Sequence, residues 1–200
     1  MKLKLGKPLH ADSVYSEANI ITLIRLVASL FFFILAIVRN NPTYNYIGFF
    51  IHWLVDFLDG YYARKFKQET IVGAEIDIIA DRFEILFFYV IFLHFRPYLA
   101  LPAAIYLVNY AFIDFYLSYQ FIKFNIISPN YFYKVDRNVY LLNYSPGGKF
   151  SNSSVVTLGL IFLPQLAGFI TIYALGLIVV KTYSVFRLFK LQSLKHEVNR

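Results

Sequence analysis

The chain has 200 residues and a formal net charge of +7, with 58% hydrophobic, 20% aromatic and only 16% charged residues. Soluble domains carry roughly 25% charged residues, so an ordinary soluble globular domain is excluded, and the absence of Cys excludes disulfides and thiolate chemistry. The aromatics lie within the apolar runs rather than on a basic soluble face, so no nucleic acid is expected as partner. Anionic membrane lipids and a phosphate-bearing substrate suit the basic excess better.

Residues 1–17 mix Lys with Leu, Val and Tyr and form a juxtamembrane segment. Two readings stand for it: an amphipathic stretch on the inner membrane surface, or a tail without fixed structure. The first apolar run, 20–38, is too long for a signal-peptide core and lacks a small-x-small cleavage site. As a helix it is roughly 28 Å long, which matches the hydrocarbon core of a bilayer. Further spans are expected at 46–63, 72–95, where Arg96-Pro97 marks the end, and 99–119. Residues 120–150, with Ser128-Pro129-Asn130 and Ser145-Pro146-Gly147-Gly148, read as an inner loop. The run 154–180 is too long for one straight span, and Pro164 and Gly168 divide it. A fifth helix beginning near Lys149 and a sixth reaching Phe189 can then both cross.

The expected architecture is therefore an all-α integral membrane protein with six transmembrane helices. A membrane domain over 18–190 is followed by a short cytoplasmic tail, 191–200. With both termini cytoplasmic, fifteen of the 19 Lys and Arg fall inside, Arg39 and Arg96 outside, and Arg25 and Arg82 within helices. That bias follows the positive-inside rule, and a five-span model would break it.

The chemistry concentrates in "VDFLDGYYARKFKQETIVGAEIDIIADR", residues 55–82. Residues three or four apart share a helix face, so Asp56 and Asp59 are neighbours on the second helix, and Asp77 and Asp81 on the third. The short link between Gly60 and Gly73 makes these helices antiparallel partners, and the four carboxylates can converge at one depth. Four anions in a medium of low dielectric repel strongly, so cations must neutralise them or protons must. Oxygen-only ligands select hard ions, two Mg²⁺ or Mn²⁺, shared with a pyrophosphate and set to stabilise displacement at phosphorus. Gly60 and Gly73 permit close approach of backbone or ligand, Arg64 offers a bidentate phosphate clamp, and Thr70 a hydroxyl. A purely structural role is disfavoured because each desolvated carboxylate opposes burial. An intramembrane prenyltransferase would share the Asp-rich helices and Mg²⁺ but would not require the Gly60/Ala63/Arg64/Gly73 frame. A cation transporter would share the Asp pairs, but Arg64 beside them opposes cation entry.

The stretch reads D-x2-D-G-x2-A-R-x8-G-x3-D-x3-D, carried by Asp56, Asp59, Gly60, Ala63, Arg64, Gly73, Asp77 and Asp81. It resembles the motif of the class I CDP-alcohol phosphatidyltransferase family at every fixed position. "ANIITLIRL" supplies Asn19, Thr22 and Arg25 where members carry Asn-x-x-Thr before an Arg, and Gly148-Lys149 resembles a recurrent element of the fifth helix. The resemblance implies six transmembrane helices, a polar cavity open to the cytoplasmic side, and homodimers. It implies that Asp56, Asp59, Asp77 and Asp81 hold two divalent metals. Asn19, Thr22, Gly60, Arg64 and Thr70 would contact the CDP moiety of CDP-diacylglycerol. Asp81 would be the catalytic proton acceptor, deprotonating a small alcohol that attacks the β-phosphorus and releases CMP.

The acceptor is less legible. The Asp81-Arg82 pair and Asp114 resemble inositol-using members, yet Arg82 could pair with Glu84 or a lipid phosphate, and Asp114 with Asn109, Tyr110 or an inner-loop base. Arg25, Arg137 and Lys149 are candidates for binding an acceptor phosphate, which would favour glycerol 3-phosphate or inositol phosphate, or they are topology charges. His52 and Trp53 read as packing or interfacial groups.

Overall fold

A computed structural model describes residues 16–198, and these residues form six long helices and no strand. Helix α1 (Glu17–Val38) starts where the Ser16 hydroxyl accepts the Asn19 N–H at 3.1 Å, an N-cap of the usual kind. It stops at Asn40, which takes a left-handed φ of 48°, a conformation Asn tolerates. Asn41 then caps α2 (Pro42–Lys65), with its side chain accepting from Thr43 N and Pro42 in the first turn. The result is a tight antiparallel α1–α2 hairpin. Gly48 sets its closeness: a Cβ there would lie 2.6 Å from the Phe33 ring and 2.9 Å from the Ser29 carbonyl oxygen.

A second tight turn through Lys67 (φ 55°) leads to Thr70, whose hydroxyl oxygen caps α3 (Ile71–Phe95) by accepting the Gly73 N–H at 2.9 Å. Arg96-Pro97 ends α3 as expected, and α4 spans Pro97–Lys123 with a π-helical stretch at Asn109–Asp114. Capped by Asp136, a short helix α5 covers 137–144. Helix α6 covers 146–162 and starts on the Ser145 cap and Pro146, three residues before the expected Lys149. Leu163-Pro164 breaks the chain direction, and α7 (Ala167–Val198) continues past the expected end at Phe189. The stretch set apart as a cytoplasmic tail thus begins as the last turns of α7. Most of the juxtamembrane segment, residues 1–15, lies outside the described residues.

Three of these helical stretches are long and apolar enough to cross a membrane: Glu17–Val38, Pro97–Lys123 and Pro164–Leu194, with mean hydropathies of 2.7, 1.4 and 1.8. Their outward faces are apolar and exposed, as at Leu23, Val27 and Phe31 on α1 and Phe169, Ile172 and Val179 on α7. Helices α2 and α3 have 24 and 25 residues, sufficient in length, but their carboxylates lower their apolarity.

Two apolar cores flank the carboxylates along α3. Phe33, Phe88, Phe92, Tyr106 and Leu160 belong to one; Ile78, Leu117, Phe121, Phe132, Val139 and Leu188 belong to the other. The second core draws in Phe132, Val139 and Tyr144 from the stretch read as an inner loop. That stretch is therefore packed structure rather than a solvated connection, because its aromatic and branched residues find a closed apolar surface. Trp53, which is 49% exposed, lines an apolar cavity of about 520 Å³ near the start of α2, with Tyr46, Phe50, Arg96 and Phe162.

Candidate active site

Three helices each contribute one polar stripe. On α1 the buried face runs Ala18, Thr22, Arg25, Ser29, Phe33 and Ala36, so Thr22, Arg25 and Ser29 interrupt an otherwise apolar seam. On α2 the matching stripe is His52, Asp56 and Asp59; on α3 it is Asp77, Asp81 and Glu84. Steps of three and four residues keep each set on one face, and the hairpin geometry brings all three faces to one level.

Arg25 sits at their centre. Its side chain is fully buried, with Nη1 at 2.6 Å from Asp56 Oδ1 and 3.3 Å from Asp59 Oδ2, and Nη2 at 2.7 Å from Asp81 Oδ1 and 3.3 Å from Asp77 Oδ1. Its Nε faces Glu84 Oε2 at 3.2 Å. Glu84 is itself fully buried and is held by His52 Nδ1 at 3.0 Å and by the Ser29 hydroxyl. Thr22 Oγ1 lies 3.1 Å from Asp59 Oδ2. The four aspartates predicted as ligands are thus brought together, but around a guanidinium rather than an open centre.

This placement corrects one expectation. Arg25 was a candidate for binding an acceptor phosphate, yet no part of its side chain is exposed and its N–H groups point at carboxylates. Arg137 and Lys149 are exposed.

The nucleotide candidates gather at the cytoplasm-predicted ends of the same helices. A Cβ on Gly73 would be 2.9 Å from both Asn19 Oδ1 and Thr70 Oγ1, and one on Gly60 would be 3.3 Å from Arg64 Nη1. Asn19 therefore rests on the bare backbone at the start of α3, and the exposed Arg64 folds back over Gly60. Thr70 has a structural duty as the cap of α3. Gln68 accepts from the Ala18 N–H and donates to Glu17, tying the α2–α3 link to the start of α1. Tyr131, whose hydroxyl donates to Glu69 at 2.5 Å, ties the same link to the packed loop. That bond, with burial adding to it, pushes the Tyr131 phenol up to about 12.

The donor set suits hard divalent cations. Oxygens of Asp56, Asp59 and Asp77 lie within 4.8 Å of one another, and Asp81 belongs to a second such group with Glu84 and His52. Five carboxylates against one guanidinium leave a formal excess of four negative charges, or three if His52 is protonated. The Asp56, Asp77 and Asp81 side chains are 41%, 39% and 26% exposed, so their second oxygens are open to a cation from the accessible side. Oxygen donors with open positions are the arrangement that Mg²⁺ and Mn²⁺ share with phosphates.

Sequence reasoning missed Glu84, Ser29 and the role of His52. The signal was present: Glu84 continues the Asp77, Asp81 face and His52 the Asp56, Asp59 face. It also missed a second buried ionic cluster. Arg82 Nη2 is 2.5 Å from Asp114 Oδ2, the Lys181 ammonium binds the other Asp114 oxygen, and the Arg82 guanidinium stacks 3.9 Å over the Tyr110 ring. Arg82 thus pairs with Asp114 rather than Glu84, and Lys181, counted as an inner-surface charge, is buried.

A family model described as CDP-alcohol phosphatidyltransferase matches residues 15–181. Among curated proteins, the chain is 31% identical over 106 residues to a CDP-diacylglycerol--glycerol-3-phosphate 3-phosphatidyltransferase of Cereibacter sphaeroides, covering 50% of this chain and 48% of the relative. It is 43% identical over 54 residues to the protein so named in Haemophilus influenzae, covering 26% and 29%. It is 36% identical over 64 residues to a CDP-diacylglycerol--inositol 3-phosphatidyltransferase of Candida albicans, covering 32% and 27%. The matched stretches thus span about half the length of these relatives or less. No solved structure matches the chain.

Proposed function

Because the chain belongs to the CDP-alcohol phosphatidyltransferase family, we propose that it moves a phosphatidyl group from CDP-diacylglycerol to a small alcohol and releases CMP. The observation that carries this reading is the convergence of Asp56, Asp59, Asp77 and Asp81 on one level, with Arg64, Asn19 and Thr70 at the neighbouring helix ends. When bound, two divalent ions held by those aspartates would neutralise the pyrophosphate and the charge that develops on it. Arg64 would clamp a phosphate of the nucleotide, and Asn19, Thr22, Gly60 and Thr70 would fix its position. Asp81 would accept the proton of the acceptor hydroxyl. The new O–P bond forms at the β-phosphorus as the bond to the CMP oxygen breaks, and the electron pair leaves with CMP.

The acceptor is an alcohol of the kinds named in the relatives, glycerol 3-phosphate or inositol, or inositol phosphate. The exposed Arg137 and Lys149 are the candidates to meet an acceptor phosphate. In this reading all six long helices cross the membrane, both termini and the polar cavity face the cytoplasm, and the protein works as a homodimer. A cation pathway is disfavoured by Arg25, a fixed buried cation that opposes cation entry, and an intramembrane prenyltransferase leaves the Gly60/Ala63/Arg64/Gly73 frame unexplained. The test is CMP release by the purified protein from labelled CDP-diacylglycerol. It is run with Mn²⁺ or Mg²⁺ against glycerol 3-phosphate, inositol and inositol phosphate, and a chelated control should be silent. Absence of CMP release with every acceptor would sink the reading.

A further inference from the structure

The geometry points to Arg25 as the resident counter-cation of the carboxylate cage, a positioning residue that holds the four aspartates in register before any metal arrives. The inference rests on the metal-binding reading of those aspartates and assigns the group that makes such a site possible.

Asp56 and Asp59 belong to α2, Asp77 and Asp81 to α3, and Arg25 to α1. Without a cation between them the four anions would drive α2 and α3 apart. A guanidinium suits the task because its planar fork can donate in several directions at once. Here Nη1 serves both α2 aspartates and Nη2 both α3 aspartates. The fork is aimed from behind. Glu84 faces Nε, and Glu84 is in turn fixed by His52 from α2 and Ser29 from α1. The four hydrogen bonds from its two Nη atoms hold the fully buried side chain in place, and with Glu84 alongside Nε it forms the deep wall of the site.

The depth ordering gives the second line of support. Arg25 and Glu84 are fully buried and the Asp59 side chain is only 5% exposed, whereas those of Asp81, Asp77 and Asp56 are 26%, 39% and 41% exposed. The fixed cation thus lies deep in the site with Glu84 and Asp59, and Asp56, Asp77 and Asp81 lie toward its accessible side. Metal uptake then completes a preassembled cage instead of having to fold one.

The experiment compares wild type, R25K, R25Q, D59N and R25Q/D59N by thermal unfolding in detergent, in EDTA and in saturating Mn²⁺. Mn²⁺ uptake by wild type is followed separately by electron paramagnetic resonance. In EDTA, R25Q should unfold roughly 10 °C below wild type, the scale expected for removing one partner of a buried ion pair in a chain of this size. R25K, which keeps the charge but not the fork, should fall between them. Mn²⁺ should recover at least half of the R25Q loss, and D59N should partly rescue R25Q in EDTA, because either change restores charge balance. Equal R25Q losses with and without Mn²⁺, additive to those of D59N, would make Arg25 a packing residue and overturn the proposal. So would an R25Q variant as stable as wild type in EDTA. If wild type takes up no Mn²⁺, the metal reading falls alone, and the metal-free R25Q/D59N comparison decides the role of Arg25.

Discussion

Replacing Gly48 by Ala tests whether the α1–α2 contact sets the geometry of the site. On an exposed helix this change stabilises by about 1 kcal/mol through helix propensity, so the default expectation is a more stable protein. At Gly48 the added Cβ would sit 2.6 Å from two carbons of the Phe33 ring and 2.9 Å from the Ser29 carbonyl oxygen. The ring belongs to a fully buried side chain in the core and the carbonyl belongs to the α1 backbone, so neither yields cheaply. Overpacking of this kind costs about 1–3 kcal/mol; with both neighbours fixed the upper part of that range applies, leaving a net loss of about 1–2 kcal/mol. For a chain of this length that is about 2–8 °C in melting temperature, measurable by thermal unfolding in detergent. Function should fall further than stability suggests. Ser29, whose carbonyl is pressed, also holds Glu84 with its hydroxyl, and Glu84 faces Arg25. Pushing α1 away from α2 therefore moves Arg25 against the aspartates, and CMP release at a temperature where the variant is folded should drop severalfold. A Gly48→Ala protein as stable as wild type or more so would refute the close-contact argument.

Asp81→Asn should abolish CMP release while leaving CDP-diacylglycerol binding largely intact, as checked by lipid-nucleotide binding beside turnover; substantial residual turnover would remove Asp81 from the proton-acceptor role. Asp114→Asn leaves Arg82 and Lys181 buried without their shared anion, and should cost about 3–5 kcal/mol. The double change Asp114→Asn/Lys181→Met should recover part of it in the same unfolding assay. Asp136 gives a pH signature. Burial alone would raise its carboxyl, but the Val139 N–H, the Arg187 guanidinium at 2.6 Å and the Asn138 N–H hold it below the usual carboxylate range. A depressed folded value means its stabilisation is fully present above its unfolded pKa of about 3.9. That stabilisation is lost as pH falls through the lower folded value. Relative to Asp136→Asn, wild type should therefore hold a constant advantage above about pH 5 that shrinks toward pH 3.

Much of the fold could be read from the chain because its punctuation is local. Asn41-Pro42, Thr70, Arg96-Pro97, Ser145-Pro146 and Pro164 all sit at helix boundaries, and each acts through a cap or a missing N–H that needs no knowledge of distant residues. The packed loop was harder to foresee. Phe132 and Val139 lie among turn residues, and only the tertiary surface offered by Leu117, Phe121 and Leu188 turns them into core.

The site divides along the same line. Asp56/Asp59 and Asp77/Asp81 were readable because their spacing is a property of one helix each. The charge that joins them was not, since Arg25 lies 31 to 56 residues away from the four aspartates, and a single Arg in an apolar run reads equally well as a topology signal. Yet the periodicity held a clue. Thr22, Arg25 and Ser29 step by three and four, and His52, Asp56 and Asp59 on α2 and Asp77, Asp81 and Glu84 on α3 step by four and three. Three helices, each with one polar stripe of the same pitch in an apolar setting, can satisfy those groups only by turning the stripes toward one another, because neither lipid nor an apolar core will take them. Once that pairing is forced, the lone cation of one stripe must meet the carboxylates of the other two, and the arrangement around Arg25 follows from the need to balance buried charge.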